Sequence, residues 1–74
     1  MAKKTLARLH RELDFPFEQG YFNYIVESYI NGNFSQVKEL FTAMRKDDAK
    51  KFLNYCVGMG EFETKTREYC INLL

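Results

Sequence analysis

The side chains that could do chemistry are few in this sequence, and they lie far apart. The candidates are a single histidine, a pair of adjacent acids and two cysteines: His10, Asp47, Asp48, Cys56 and Cys70. A catalytic site combines a nucleophile, a base and a group that stabilises developing charge. His10 lies at the edge of a helical apolar stripe, where a partly exposed structural role is expected. We therefore predict that the protein is not an enzyme and has no catalytic residues.

Neither the acids nor the cysteines have the spacing of a metal site. Adjacent residues at a helix start point in different directions, and Asp47 or Asp48 is well suited to cap the helix that follows. A structural zinc site needs four Cys or His ligands in close pairs, which this chain lacks. Cys56 and Cys70 fall on predicted core faces as small hydrophobes, and a regulatory disulfide between them is the alternative. We expect no metal ion.

The glycines give no sign of a nucleotide site. They occupy positions 20, 32, 58 and 60, which match neither the GxGxxG nor the GxxxxGK pattern of phosphate-binding loops. We therefore expect no cofactor and no small-molecule substrate.

Composition and charge favour one small folded domain. The 74 residues, 46% of them hydrophobic, include seven Phe and five Tyr, which is enough to form a single core over residues 1–74. The net charge of +1 provides no overall attraction to nucleic acid or to an anionic membrane.

The amino terminus, Met1-Ala2-Lys3-Lys4, is a short basic leader with no long apolar run behind it. We expect neither a secretory signal nor a membrane span, and we expect a complete small reading frame. These features predict a cytoplasmic protein without membrane contact, in which both cysteines stay reduced.

Apolar residues repeat with helical spacing along most of the chain, which predicts an all-α fold. The first helix covers about residues 4–13, and Pro16 then requires an extended connector, with Phe15 and Phe17 closing the end of the core. The second and most apolar helix covers about residues 18–31 and ends at Gly32.

Two or three further helices complete a compact, orthogonal or irregular bundle. Ser35 is expected to cap a third helix at about residues 36–45. Asp47 or Asp48 starts a fourth helix, which runs to Val57 and is followed by Gly58 and Gly60. A fifth helix, over about residues 61–73, has a thinner apolar face that includes Phe62, Thr66, Tyr69, Cys70 and Leu73.

The third and fourth helices have the lengths of a helix-turn-helix-like pair, at about residues 36–57. On the fourth helix, over about residues 48–57 and its lead-in, polar residues form one face that could contact phosphates and a base edge. These residues are Arg45, Lys46, Lys50, Lys51 and Asn54. A small DNA-binding regulator is therefore the alternative hypothesis, although a solvated helix face has the same pattern.

The aromatic surplus is the more unusual feature. On the second helix, Tyr24 lies nearly opposite the apolar stripe and Tyr21 lies at its margin. A Tyr away from the core is typical of a protein interface, whereas a helix that is wrapped on several sides would bury Tyr24 as well. Our leading hypothesis is a protein-binding or regulatory module, such as a bacteriophage or mobile-element accessory protein. It would bind a protein partner or a second copy of itself through this aromatic face.

Overall fold

The computed structural model describes residues 3–74. This part of the chain contains five α-helices. They are α1 (Leu6–Glu12), α2 (Glu18–Ile30), α3 (Phe34–Ala43), α4 (Lys46–Tyr55) and α5 (Glu61–Ile71). No strand forms in this range, and an isolated parallel bridge joins Lys4 to Met44. The predicted all-α class is confirmed. Met1 and Ala2 of the predicted basic leader lie outside the described residues.

Helix α1 is anchored at its first turn. The Thr5 side chain accepts a hydrogen bond from the Arg8 N–H at 3.3 Å, which caps the helix in the usual way. Leu6 and Leu9 are buried, while Leu13 remains exposed. A second cap comes from α4, because Asp48 Oδ2 accepts a hydrogen bond from the Leu6 N–H.

The acids of α4 therefore do not act as predicted. Arg45 is the N-cap of α4 and makes no side-chain capping bond, so neither Asp47 nor Asp48 caps its own helix. Both lie within the first turn, where their charge complements the helix dipole. The expectation of a local cap was wrong because Asp48 caps α1 instead.

The connector between α1 and α2 turns sharply at Asp14, which has a φ of 60°. His10 Nδ1 lies 2.9 Å from the Phe15 carbonyl oxygen, to which it donates, so the half-buried histidine fastens the connector. Phe15 packs against the core as predicted. Phe17 does not, since it is the extended N-cap residue of α2 and its side chain is 69% exposed.

Helix α2 is the centre of the bundle and contacts α1, α3 and α5. It ends before Gly32, whose φ of 76° is the left-handed conformation predicted there. The next helix starts two residues earlier than expected. Asn33, rather than the exposed Ser35, caps α3, because Asn33 Oδ1 accepts a hydrogen bond from the Gln36 N–H at 3.3 Å.

The C-terminal carbonyls of α3 are satisfied by groups outside the helix. The Tyr21 hydroxyl donates to the Leu40 carbonyl at 2.6 Å, and the Lys4 N–H donates to the Ala43 carbonyl at 2.9 Å. The Arg45 N–H then donates back to the Lys4 carbonyl at 3.3 Å. The two bonds of Lys4 join the chain before α1 to the turn between α3 and α4.

Helices α4 and α5 complete the core with Phe52, Thr66 and both cysteines, all fully buried. Two apolar residues near the ends of these helices are exposed. Val57 lies beyond the end of α4, in the turn at Gly58 (φ 74°), and is 61% exposed. Phe62 is in the first turn of α5, beyond the buried part of its stripe, and is 49% exposed.

None of the helices between residues 3 and 74 has the length and apolar character that a membrane crossing would require.

Candidate functional site

Tyr21 lies in the core and does not belong to a surface. Its side chain is 0% exposed, and its hydroxyl completes the end of α3 by donating to the Leu40 carbonyl. Burial raises the pKa of Tyr21 well above its ordinary value, which agrees with a permanently protonated donor. The placement of Tyr21 at an interface was wrong, because the buried stripe of α2 is wider than its sequence pattern suggested.

Tyr24 is intermediate between the two alternatives that the sequence left open. Its ring packs against Phe15, with the ring centroids 5.5 Å apart, and its hydroxyl accepts a hydrogen bond from Gln36 Nε2. The side chain is half-buried. Tyr24 therefore has one packed face and one face that a partner could contact.

Three other rings form an aromatic group at the surface. Phe34 lies 5.3 Å from Tyr29 and 5.4 Å from Tyr69, and the two tyrosines are 6.0 Å apart, measured between ring centroids. We call these three residues the surface aromatic cluster. Phe34 is 45% exposed, and both tyrosines are half-buried. Each ring comes from a different helix, so the cluster is held by the packing of α2, α3 and α5.

The surroundings of the cluster are both apolar and charged. Ile30 directly follows Tyr29 and is 49% exposed. One turn before Tyr69 on α5, Lys65 pairs with Glu61 at 3.0 Å. The hydrogen bond and charge of Glu61 raise the pKa of Lys65, and Tyr29 adds to this effect. An apolar centre with a charged border is the usual composition of a protein interface.

This cluster is not evident from the sequence. Helical spacing assigns Tyr29 and Tyr69 to the apolar faces of their helices, and Phe34 falls between the predicted second and third helices. The signal was the position of Phe34 itself, because the predicted helix bounds leave it in a connecting turn and connecting segments lie at the surface.

The polar face of α4 is exposed as predicted. Arg45, Lys46, Lys50, Lys51 and Asn54 all lie at the surface. Lys51 Nζ lies 3.9 Å from Asp48 Oδ1, whereas Lys46 and Lys50 form no ion pair with any residue between 3 and 74. The pairing of Lys4 with Ala43 and Arg45 also brings Lys3 to a cleft that Lys46 lines. The other residues of this cleft are Phe41, Thr42, Ala49, Leu73 and Leu74. Lys3 was missed because the two lysines are distant in sequence.

The two cysteines are unbonded thiols in the core. Burial raises the pKa of Cys56 to about 11 and that of Cys70 to about 12, and the charge of Cys56 contributes to the second shift. Each is therefore a protonated, unreactive thiol at neutral pH. Within residues 3–74, no three His, Cys, Asp or Glu side chains are grouped as metal ligands would be.

Comparisons of the chain with protein-family models, with curated proteins and with solved structures gave no match.

Proposed function

We propose that the protein is a non-enzymatic protein-binding or regulatory module, and that its partner docks on the surface aromatic cluster. The observation that carries this proposal is the exposure of Phe34 between two tyrosine rings. An apolar ring that is 45% exposed and already fixed by neighbouring rings offers contact area at little cost in side-chain entropy.

Tyr24 is a separate candidate contact on α2. Its hydroxyl is bonded to Gln36, which lies two residues after Phe34 in α3. Residues two apart on a helix do not face each other, so this bond does not bring Tyr24 to the surface aromatic cluster. The predicted aromatic surface of α2 therefore remains in the proposal as the half-buried Tyr24 alone, without Tyr21.

A protein partner in the cytoplasm is the expected occupant, and a second copy of the chain would use the same rings as a homodimer. An accessory protein of a bacteriophage or a mobile element would act in this way, by covering a surface of another macromolecule. The fold alone does not assign such a role, so the proposal depends on the rings.

The test compares Phe34→Ala with Phe17→Ala. Phe17 is an even more exposed phenylalanine, at 69%, and belongs to none of the ring pairs. We expect proteins that co-purify with the parent chain, or its self-association in sedimentation, to be lost with Phe34→Ala and kept with Phe17→Ala. Equal retention by both folded variants would contradict the proposal.

A small DNA-binding regulator is the second candidate function. It is favoured by the exposure of Lys46, Lys50 and Asn54 along α4, the second helix of the predicted helix-turn-helix-like pair. Two features argue against DNA binding. The acidic side chain of Asp47 lies in the first turn of α4, directly after Lys46, and the net charge of the chain is only +1.

The test of this candidate is binding to duplex DNA at low salt. Lys46→Ala with Lys50→Ala should weaken retention, and the salt dependence should fall, because fewer counterions are released. Lys38→Ala with Lys65→Ala, an equal loss of charge on α3 and α5, is the matched control. Unchanged retention in the first pair, or no salt-dependent binding at all, would exclude the candidate.

A further inference from the structure

The turn between α2 and α3 contains an exposed asparagine followed by a glycine, Asn31 and Gly32. The Gly32 N–H donates to the Tyr29 carbonyl at 3.0 Å, and the next N–H, that of Asn33, donates to the Ser28 carbonyl at 2.8 Å. With Gly32 at a φ of 76°, these bonds form a Schellman turn. The Asn31 side chain makes no hydrogen bond to any residue between 3 and 74.

An asparagine in this setting can lose its side-chain amide without an enzyme. The Gly32 nitrogen attacks Cγ of Asn31, so a new C–N bond forms, the Cγ–Nδ2 bond breaks, and ammonia leaves with the proton of the Gly32 N–H. Water then opens the cyclic imide at either carbonyl and gives aspartate or isoaspartate. A side chain on the attacking residue would hinder this step, and Gly32 has none. A Cβ placed on Gly32 would meet no atom within 4 Å in the described part of the chain, so the turn is uncrowded there.

The other four asparagines lack this combination. Each is followed by a large side chain, in the pairs Asn23-Tyr24, Asn33-Phe34, Asn54-Tyr55 and Asn72-Leu73. Two of them are also held by hydrogen bonds, because Asn23 Oδ1 accepts from the Tyr55 hydroxyl at 2.5 Å and Asn33 Oδ1 caps α3. These four residues are therefore slow references within the same chain.

We propose that Asn31 is a site of spontaneous deamidation, and that its conversion to isoaspartate weakens the surface aromatic cluster. Isoaspartate adds a methylene to the backbone, which is incompatible with the two bonds of the Schellman turn. Its carboxylate lies at the C-cap of α2, where the negative end of the helix dipole repels it. This turn sets the position of Phe34 relative to Tyr29, whose ring centroids are 5.3 Å apart. The consequence for binding rests on the proposed function of the cluster.

The fold slows the reaction through the geometry of the turn. Closing the five-membered ring requires the Gly32 nitrogen to lie beside Cβ of Asn31, so the ψ of Asn31 must rotate away from 0°. This rotation breaks the bond from Gly32 to Tyr29. A bond at an exposed helix end opens far more readily than the core does. We therefore expect the folded protein to convert more slowly than the urea-unfolded chain, and a bound partner to slow it further.

The experiment incubates the purified protein at mildly alkaline pH and follows every asparagine by peptide mass spectrometry. We expect aspartate and isoaspartate to accumulate at position 31 and the other four amides to persist. The rate should rise with pH, because the attacking nitrogen must lose its proton. An intact amide at Asn31, or equal conversion at Asn72, would overturn the assignment of the site.

The matched variants are Asn31→Gln and Asn72→Gln. Both asparagines are exposed C-cap residues, of α2 and α5, but only Asn31 precedes a glycine. After incubation, the parent and Asn72→Gln should lose near-ultraviolet circular dichroism, which reports tyrosine packing, in proportion to the isoaspartate formed. Asn31→Gln should keep its signal. Conversion of the parent without this loss would overturn the effect on the cluster.

Partner capture separates this inference from the proposed function. We expect incubated parent protein to lose capture and incubated Asn31→Gln to retain it. Retained capture by converted protein, together with its loss in Phe34→Ala, would leave the proposed function standing and overturn the effect of deamidation on binding. If Phe34→Ala has no effect on capture, the proposed function fails, whereas the mass and circular dichroism measurements still decide the modification and its structural effect.

Discussion

The carboxylate of Asp48 in α4 accepts a 2.8 Å hydrogen bond from the backbone N–H of Leu6, the first residue of α1. The two residues are 42 positions apart, so this is a tertiary helix cap. Thr5 satisfies a second amide of the same turn, that of Arg8. The start of α1 is therefore fixed to the first turn of α4, beside the cleft that Lys3 and Lys46 line.

Replacing Asp48 tests this cap. Asp48→Ala should lower the free energy of unfolding by about 1 kcal/mol, because the Leu6 N–H loses its acceptor in a part-buried position. Asp48→Asn retains an acceptor oxygen and should lose less. Urea unfolding with an unchanged slope measures both changes. Asp47→Ala is the control, and an equal loss there would contradict the assignment of the cap to Asp48.

Tyr21→Phe tests the end of α3. The substitution keeps the ring and removes the donor to the Leu40 carbonyl, which leaves a buried acceptor without its partner. We expect a loss of about 1–2 kcal/mol in the free energy of unfolding. Tyr29→Phe is the control, because its hydroxyl has no hydrogen-bond partner within residues 3–74. This variant should change the free energy of unfolding by only about 0.3 kcal/mol. Similar losses in the two variants would show that the Tyr21 hydroxyl is not specially placed.

The turn between α2 and α3 depends on Gly32, whose φ is 76°. Gly32→Ala introduces a side chain at a left-handed position and should destabilise the protein by about 1 kcal/mol. Gly32→Asn should cost less, since asparagine tolerates this conformation. Thermal unfolding of the two variants measures the order, and a more stable alanine variant would contradict the helix termination described for α2.

The buried thiols predict a loss of stability in alkali. Burial raises the pKa of Cys56 from 9.0 to about 11 and that of Cys70 from 9.0 to about 12, so the folded protein holds these protons more tightly than the unfolded chain. Their contribution is complete below pH 9 and is lost as the pH rises through the folded pKa values. Urea unfolding between pH 8 and about 11 should show this decrease, and the double variant Cys56→Ala, Cys70→Ala should show a shallower one.

The same burial predicts slow alkylation. Iodoacetamide should modify the native protein at pH 8 far more slowly than the urea-unfolded chain, as followed by mass spectrometry, because both thiols are protonated and fully buried. Rapid modification of either cysteine in the folded protein would show that the core around α4 and α5 is open.

Local pattern was enough to predict the class of the fold and most of the core. Helical spacing placed Leu6, Ile25, Val37 and Phe52 on buried faces, since the side-chain period is a property of each helix alone. Helix starts were less predictable. Ser35 and Asn33 are both good caps, and the choice between them depends on the geometry of the turn at Gly32.

The candidate sites required tertiary information. Tyr29, Phe34 and Tyr69 meet only because the ends of α2, α3 and α5 converge, and Lys3 reaches the cleft beside Lys46 only because Lys4 pairs with Ala43. No short sequence window contains these relationships. Tyr21 also could not be placed from sequence. Its position at the margin of the apolar stripe of α2 did not indicate that other helices cover α2 on several sides and bury this side chain.

The most direct test of the account is a ¹⁵N spectrum of the labelled protein with and without its captured partner. We expect the shift changes to concentrate in residues 29–36 and around Tyr69, where the surface aromatic cluster lies, and to vanish in Phe34→Ala. Changes confined to the exposed face of α4, from Lys46 to Asn54, would contradict docking on the rings and favour nucleic-acid binding instead.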